Sequence, residues 1–283
     1  MGILTSKVAV ITGSSRGFGF AVAEAFAKEG AAVVLGARNE NSLNGAVSSL
    51  LNQGYAAVGR VCDVSVPDDL EALGELAMQH FGHLDIWVNN AGVGASYGPT
   101  MEIEAREFEA VLKTNIFGTY YGSRVAMSHF LKQGSGKLIN VLGRGDTQPV
   151  PFQNAYASTK TWVRSFTLAL AKEYQKSGVG IFAINPGLML TDMLTQVKAV
   201  AGYAEAVRPL ITVMHFWGQP PQIPAQKAVW MASSATDGKT GLVFKVLGPG
   251  FLLWGVVREL WRRAWNLPDP IPAVTITETP KSK

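Results

Sequence analysis

The sequence has a single cysteine, Cys62, which excludes a disulfide within the chain and any cysteine-built metal cluster. It is poor in charge: 16% of residues are charged, against about 25% in a typical soluble domain. The net charge is +4 with no dense Lys/Arg block, so nucleic acid is not an expected partner. Its apolar runs are short or broken by Gly and charge, which excludes a membrane-spanning helix. No cleavable leader precedes the first strand-like run, and a cytoplasmic location is the expectation. Met1-Gly2 with Ser6 matches a myristoylation pattern, but a pattern so short arises by chance, and a strand start explains it better.

What the chain does have is apolar surface. Its 283 residues are 47% hydrophobic and the mean hydropathy is +0.14. That is enough for one full core, and it leaves a surplus to be placed.

Short β-branched runs alternate with amphipathic stretches. Val8–Thr12, Ala32–Ala37, Ala56–Cys62, Asp85–Asn89, Lys137–Leu142, Gly180–Asn185 and Leu242–Leu247 read as strands. Gly19–Glu29, Glu40–Gln53, Pro67–Phe81, Ala105–Lys132 and Tyr156–Gln175 read as helices between them. Strands apolar on both faces and separated by helices predict an α/β fold, a Rossmann-type doubly wound, mostly parallel sheet in one domain. The catalytic domain is expected over 1–247, with an irregular insert at 194–224. Residues 248–283 read as an apolar helix and a mobile Pro-rich tail.

The first strand runs into Thr12-Gly13-Ser14-Ser15-Arg16-Gly17-Phe18-Gly19 and then a helix. Glycines there allow a tight turn and close approach of a pyrophosphate, which the helix N-terminus attracts. The second strand ends Gly36-Ala37-Arg38, where a binder of NAD carries an acid for the ribose 2′-OH. Arg38, joined by Arg16, instead suits a 2′-phosphate, so NADPH is the expected cofactor. Tyr156 and Lys160 stand one helical turn apart on one face. A free tyrosine titrates near pH 10, and a neighbouring ammonium is expected to lower that value towards neutrality.

In order along roughly Ser6–Leu247, the chain carries Thr12–Gly19, Cys62-Asp63-Val64, Asn89-Asn90-Ala91-Gly92, Asn115, Tyr156-Ala157-Ser158-Thr159-Lys160 and Pro186-Gly187 with Thr191. This ordered set resembles the short-chain dehydrogenase/reductase family. The resemblance implies that Asp63 and Val64 contact adenine and that Asn90, Ala91 and Gly92 support the cofactor ribose. It further implies Tyr156 as general acid/base with Lys160 as its helper, Asn115 as holder of a relay water, and Thr191 on the nicotinamide carboxamide beside Pro186 and Gly187.

One position departs from that pattern. The spacing from Tyr156 that should reach a serine lands on Gly143. Another group could substitute: Thr147, Gln148, Asn154, or a backbone N–H of the Gly143–Gly145 turn. Alternatively, an activated or bulky apolar carbonyl substrate wants the room, or the protein binds NADPH with little turnover. Gly143, Asp85-Ile86-Trp87, Pro186–Leu194 and Gly238-Lys239 before an apolar helix also resemble the chlorophyll b reductase branch, which fits a bulky substrate. With Gly143 and Thr147, Met189 and His215 are the candidate substrate-pocket residues. His215 lacks partners at metal-ligand spacing, and no metal site is expected. On the 251–265 helix, Trp254, Trp261 and Trp265 border an apolar arc beside Arg258 and Arg262. That pattern suits packing over the pocket or a homodimer or homotetramer contact, with a peripheral membrane contact as the alternative.

Overall fold

A computed structural model of the chain describes residues 2–269 and 271–282. The strands are β1 (Val8–Thr12), β2 (Ala32–Ala37), β3 (Ala57–Val61), β4 (Ile86–Asn89), β5 (Gly136–Val141), β6 (Val179–Asn185), β7 (Gln196–Val200), β8 (Val243–Lys245) and β9 (Thr275–Thr279). The helices are α1 (Gly17–Lys28), α2 (Glu40–Asn52), α3 (Pro67–Phe81), α4 (Ala105–Leu112), α5 (Gly118–Gln133), α6 (Asn154–Glu173), α7 (Asp192–Thr195), α8 (Arg208–Trp217), α9 (Gln222–Ala232) and α10 (Pro249–Ala264).

Seven of the strands form one parallel sheet in the order β3-β2-β1-β4-β5-β6-β8. Successive strand residues point to opposite faces, and the sequence fills both with apolar groups. Ala9 and Ile11 of β1 join Val33, Leu35, Ile139 and Phe182 in a core closed by α1, α2 and α9. Val8 and Val10 join Val34, Trp87, Leu138 and Ile181 in a second core under α3 and α5. Each large side chain buried there contributes about 1.5–3 kcal/mol. The strand order reverses between β1 and β4, so their carboxyl ends open the crevice where doubly wound sheets bind ligands.

Two expectations are corrected. The 194–224 insert is regular, with β7 and α8 in it. The tail is not a mobile end within the described residues: β9 pairs in parallel with β7, from Gln196↔Thr275 to Val200↔Thr279. Near the end Lys281 bonds Glu102 at 2.8 Å, and the Ser282 N–H donates to the Glu102 carbonyl. Sequence periodicity cannot reveal this ribbon, because its strands lie almost eighty residues apart and each finds its partner only through tertiary packing.

The helix expected at 251–265 is α10, and one side of it packs on α8. Any side chain at Gly255 would strike Trp217 and the Phe216 carbonyl, so glycine sets this close helix crossing. Trp217 donates to the Leu252 carbonyl, and Arg258 donates to the carbonyls of His215 and Phe216 at the end of α8. The opposite face leaves Leu253, Trp254, Val257, Leu260, Trp261 and Trp265 exposed. No helix among the described residues is long and apolar enough to cross a membrane.

Candidate active site

The turn after β1 is held by short polar links. Thr12 Oγ1 accepts the N–H groups of Asn90 and Ala91, and Asn90 Nδ2 donates to the carbonyls of Thr12 and Gly13. Gly13 has φ +62, and a Cβ there would lie 2.8 Å from the Ala91 backbone. Gly17 also has positive φ and faces the Thr191 methyl, with 3.5 Å left to an added Cβ. Helix α1 starts with no side-chain cap and no acidic residue in its first turn. Its N–H groups and positive dipole end therefore remain available to an anion. A Cβ at Gly19 would strike the Asn90 amide and the Gly13 carbonyl, so glycine at 13 and 19 is what lets the turn close on the Asn90–Ala91 segment.

The other expected cofactor residues surround that turn in different ways. Phe18 puts its ring in the core, leaving only its backbone to a ligand, while Ser15 stays partly open. Asp63 Oδ1 accepts from Ser65 N and Oγ, and Val64 is buried against Gly118. Gly187 has φ +78 and donates its N–H to Asn185 Oδ1; Gln219 donates to the Pro186 carbonyl at 2.9 Å. Arg38 follows β2 and is exposed. Arg16 is not aimed alongside it: its guanidinium bonds Asp192 at 2.8 Å, at the start of α7. Asp192 is the nearest anion that α7 offers, and the pair bridges the Gly-rich turn to the Thr191 loop. With Arg16 74% exposed, this is a weak, exchangeable link.

Asn115 interrupts the α4–α5 stretch as a π turn over Lys113–Phe117. The wider turn aims its amide inward, where it is fully buried. There Oδ1 accepts from Val93 N, and Nδ2 donates to the Val93 carbonyl and to Thr159 Oγ1 on α6. Gly92 faces both Asn115 Oδ1 and Lys160 Nζ, at 3.4 and 3.6 Å from an added Cβ. Asn115, Gly92 and Lys160 are thus brought together.

Lys160 is 4% exposed, and its Nζ donates to the Val141 carbonyl at 2.9 Å, 5.5 Å from the centre of the Tyr156 ring. Burial lowers its ammonium to about 8. The Tyr156 hydroxyl does not move down as expected. It is pushed well above the ordinary tyrosine value, first by burial and then by Tyr97 and Asp146. Lys160 sits against the ring and points to Val141, so it does not offset that desolvation. Tyr156 therefore keeps its proton at neutral pH and, in this resting state, is a weaker acid than a free phenol.

The space beside Gly143 is filled by Tyr156 itself: a Cβ at 143 would collide with the Tyr156 hydroxyl. The hydroxyl lies where a serine side chain would start. None of the side chains expected to substitute is turned to it. Thr147 is exposed and meets Lys245 Nζ at 3.5 Å, Gln148 is exposed, and Asn154 donates to Thr100 Oγ1. His215 is also corrected as a pocket residue. Its ring nitrogens meet the Ile211 carbonyl and the Asp269 carboxylate, both at 2.9 Å, so it fastens the tail to α8. Met189 packs partly buried against the first core.

Sequence reasoning missed several groups here. Asp146 is buried beside Tyr156 and accepts from Asn185 Nδ2, which also donates to the Gly143 carbonyl. Tyr97 is carried by a loop that bridges to Ala199 of β7. Neither sits in a motif, and only the folded contacts single them out.

Comparison with known proteins identifies the family. The model of the short chain dehydrogenase family matches residues 7–201. Glucose 1-dehydrogenase 2 of Bacillus subtilis is 30% identical over 87% of this chain and 95% of its own. The 3beta-hydroxysteroid dehydrogenase 1 of Eggerthella lenta is 35% identical over 88% of this chain and 97% of its own. A crystal structure of the 3-ketoacyl-(acyl-carrier-protein) reductase of Brucella melitensis, complexed with NADH, superposes with a TM-score of 0.77 at 31% identity, covering 86% of this chain and 97% of that one. The chain belongs to the short-chain dehydrogenase/reductase family of oxidoreductases.

Proposed function

We propose that the protein is an NADPH-dependent reductase of aldehydes or ketones, with Tyr156 as the proton donor. The observation that carries the reading is the placement of Tyr156, whose hydroxyl lies against Gly143 at the carboxyl end of β5 with the buried Lys160 Nζ 5.5 Å from its ring centre. The nicotinamide cofactor supplies the hydride when bound. The Gly13–Gly19 turn and the α1 N-terminus would hold its pyrophosphate, and Thr191 with Pro186 and Gly187 would hold its nicotinamide end. Arg38, with no carboxylate at the end of β2, is the support for a 2′-phosphate. NADH, held by the Brucella relative, is the alternative that affinity measurements decide.

Tyr156 orients the carbonyl oxygen by donating a hydrogen bond, then transfers its proton as charge develops there. Lys160 and Asn115 keep the ring and its surroundings in place. The substrate is read as bulky and apolar, since the surplus hydrophobicity lies in the insert and α10, outside the cofactor turn. The steroid relative shows that a homologue can act on such a molecule, while the glucose relative shows that membership of the family alone does not name the substrate. We further read the assembly as a homodimer or homotetramer, with a membrane surface as the alternative cover for α10.

The test is NADPH oxidation with small and bulky aldehydes and ketones. Tyr156→Phe should abolish turnover while leaving NADPH affinity nearly unchanged. Binding of NADPH with no turnover of any carbonyl would favour the second reading, a cofactor-binding protein, for which Gly143 is the motive.

A further inference from the structure

Helix α6 carries Tyr156, Lys160 and Arg164 at a spacing of four, so all stand on one side of it. The segment that follows β5 crosses that side and is fastened to it along its length. At Gly143 the backbone lies against the Tyr156 hydroxyl, with no room for a side chain. At Gly145, where φ is +94, a Cβ would strike Ala157, and the Gly145 carbonyl accepts from Thr161 Oγ1 at 2.6 Å. At Asp146, Oδ2 faces Arg164 Nη1 at 3.6 Å, an ion pair without a hydrogen bond.

The same segment is joined to the end of β6. Asp146 is 4% exposed, and its N–H closes a turn onto the Gly143 carbonyl at 3.2 Å. Asn185 Nδ2 donates to that carbonyl and to Asp146 Oδ1, both at 3.1 Å. Asn185 Oδ1 accepts from the Gly187 N–H at 3.0 Å. A backbone N–H can only donate, so the Gly187 bond fixes which way the Asn185 amide points. Its NH2 group must then meet acceptors, and the Gly143 carbonyl and the Asp146 carboxylate are those acceptors. A buried carboxylate is costly unless it is bonded. The partners of this one, Asn185 and Arg164, belong to the two elements that meet at the Gly143 turn.

Resting on the reductase reading above, we propose that Asp146 is a positioning residue of the reaction. Acting through Asn185, it holds the Gly143 turn against the Tyr156 hydroxyl and sets that phenol in register with the nicotinamide end at Gly187. Asp146 itself transfers no proton. Its loss is felt as a displacement of the reacting groups, and about an ångström of that can cost up to about 100-fold in rate.

The experiment measures kcat per titrated NADPH site and NADPH affinity in the full chain, with benzaldehyde and 2-naphthaldehyde as probes. Asp146→Ala should lower kcat by about 10- to 100-fold with NADPH affinity held within about twofold, since Asn185 still bonds Gly187. Asp146→Asn should restore most of that loss, because its amide oxygen still accepts from Asn185. Asn185→Ala should lower kcat and also weaken NADPH, through the freed Gly187 N–H. The variant carrying both alanines should be no slower than Asn185→Ala alone, as expected when one residue acts through the other. If Asp146→Ala does not fold, Asp146→Leu, which fills the volume without an acceptor, takes its place with the same expected loss. Losses that multiply in the double variant, or an asparagine variant as slow as alanine, overturn the assignment. Wild-type kcat in Asp146→Ala, with Tyr156→Phe inactive, also overturns it and leaves the reductase reading intact. If wild-type protein turns over neither probe, or Tyr156→Phe stays active, the reductase reading falls and takes the Asp146 assignment with it.

Discussion

The Tyr156 hydroxyl and the missing side chain of Gly143 share one volume: any Cβ at 143 would lie inside contact distance of that oxygen. Glycine here is therefore a steric requirement of where the phenol sits. Gly143→Ala should push the hydroxyl aside by about an ångström, a displacement that can cost up to about 100-fold in rate. Steady-state kcat with NADPH and an aldehyde checks this. An alanine variant as fast as wild type would mean that the phenol has room to spare.

Arg38 and Arg16 should not contribute equally to cofactor choice. Arg38 is free to face a 2′-phosphate, whereas Arg16 is already bonded to Asp192. Arg38→Ala should weaken NADPH by about 10- to 100-fold, as expected for a lost charge-assisted hydrogen bond, and NADH by much less. Arg16→Ala should affect both cofactors alike and mildly. Fluorescence titration of each dinucleotide decides the matter, and equal losses in Arg38→Ala would remove the phosphate contact.

Burial lowers Lys160 from its ordinary value to about 8, and this ties stability to pH. Below pH 8 the folded and unfolded chains both hold the proton, and the full cost of burying the ammonium is present. Between about 8 and 10.5 the unfolded chain binds more protons than the folded one, so stability rises with pH. Relative to Lys160→Met, the wild type should gain about 2 kcal/mol between pH 7 and pH 9.5. Urea unfolding of both proteins at the two pH values measures this. Parallel profiles would show that the ammonium is not desolvated.

Much of this fold is legible in the sequence because its signals are local. Val8–Thr12, Ala32–Ala37 and Pro67–Phe81 read with their observed boundaries, since apolar β-branched runs and a Pro at a helix start act within a few residues. The cofactor turn, Asn115 and the Tyr156–Lys160 pair are equally plain as spaced motifs. What could not be read depends on distant partners. β9 becomes a strand only against β7, His215 meets Asp269 on the tail, and the Tyr97 backbone bridges to Ala199 of β7, about a hundred residues on. The direction of the Tyr156 shift also escaped, because charge spacing alone does not report how deeply the phenol is buried.

The exposed stripe on α10 should be a subunit contact. Leu253, Trp254, Val257, Leu260, Trp261 and Trp265 lie on one side of the helix, and Trp254 is 62% exposed. Replacing Leu253 and Trp261 by Glu should lower the mass in solution, measured by light scattering, without changing NADPH affinity. If the mass is unchanged and the wild type floats with anionic liposomes while the variant does not, the stripe is a membrane contact instead.

Glu259 should be the fastening of α10. Its carboxylate is buried between Arg262 and Arg263, with bonds of 2.7–2.8 Å, and the two guanidiniums hold it down at about 2. Arg262 in turn donates to the Leu267 carbonyl, and Arg263 lies over the Phe216 ring of α8. Removing the charge leaves two arginines side by side with nothing between them. Glu259→Gln should therefore raise the rate of tryptic cleavage after Arg262 and Arg263 by about tenfold or more, through local opening of the helix. A depressed carboxylate stabilises above its ordinary value, so in the wild type this support should persist at neutral pH and fade as pH falls from about 4.5 towards 2. Hydrogen exchange of α10 amides across that range should show protection falling in the wild type and already low in Glu259→Gln. Equal protection in the two proteins at pH 7 would mean that the packing of Gly255 against Trp217 holds the helix without the ion pairs.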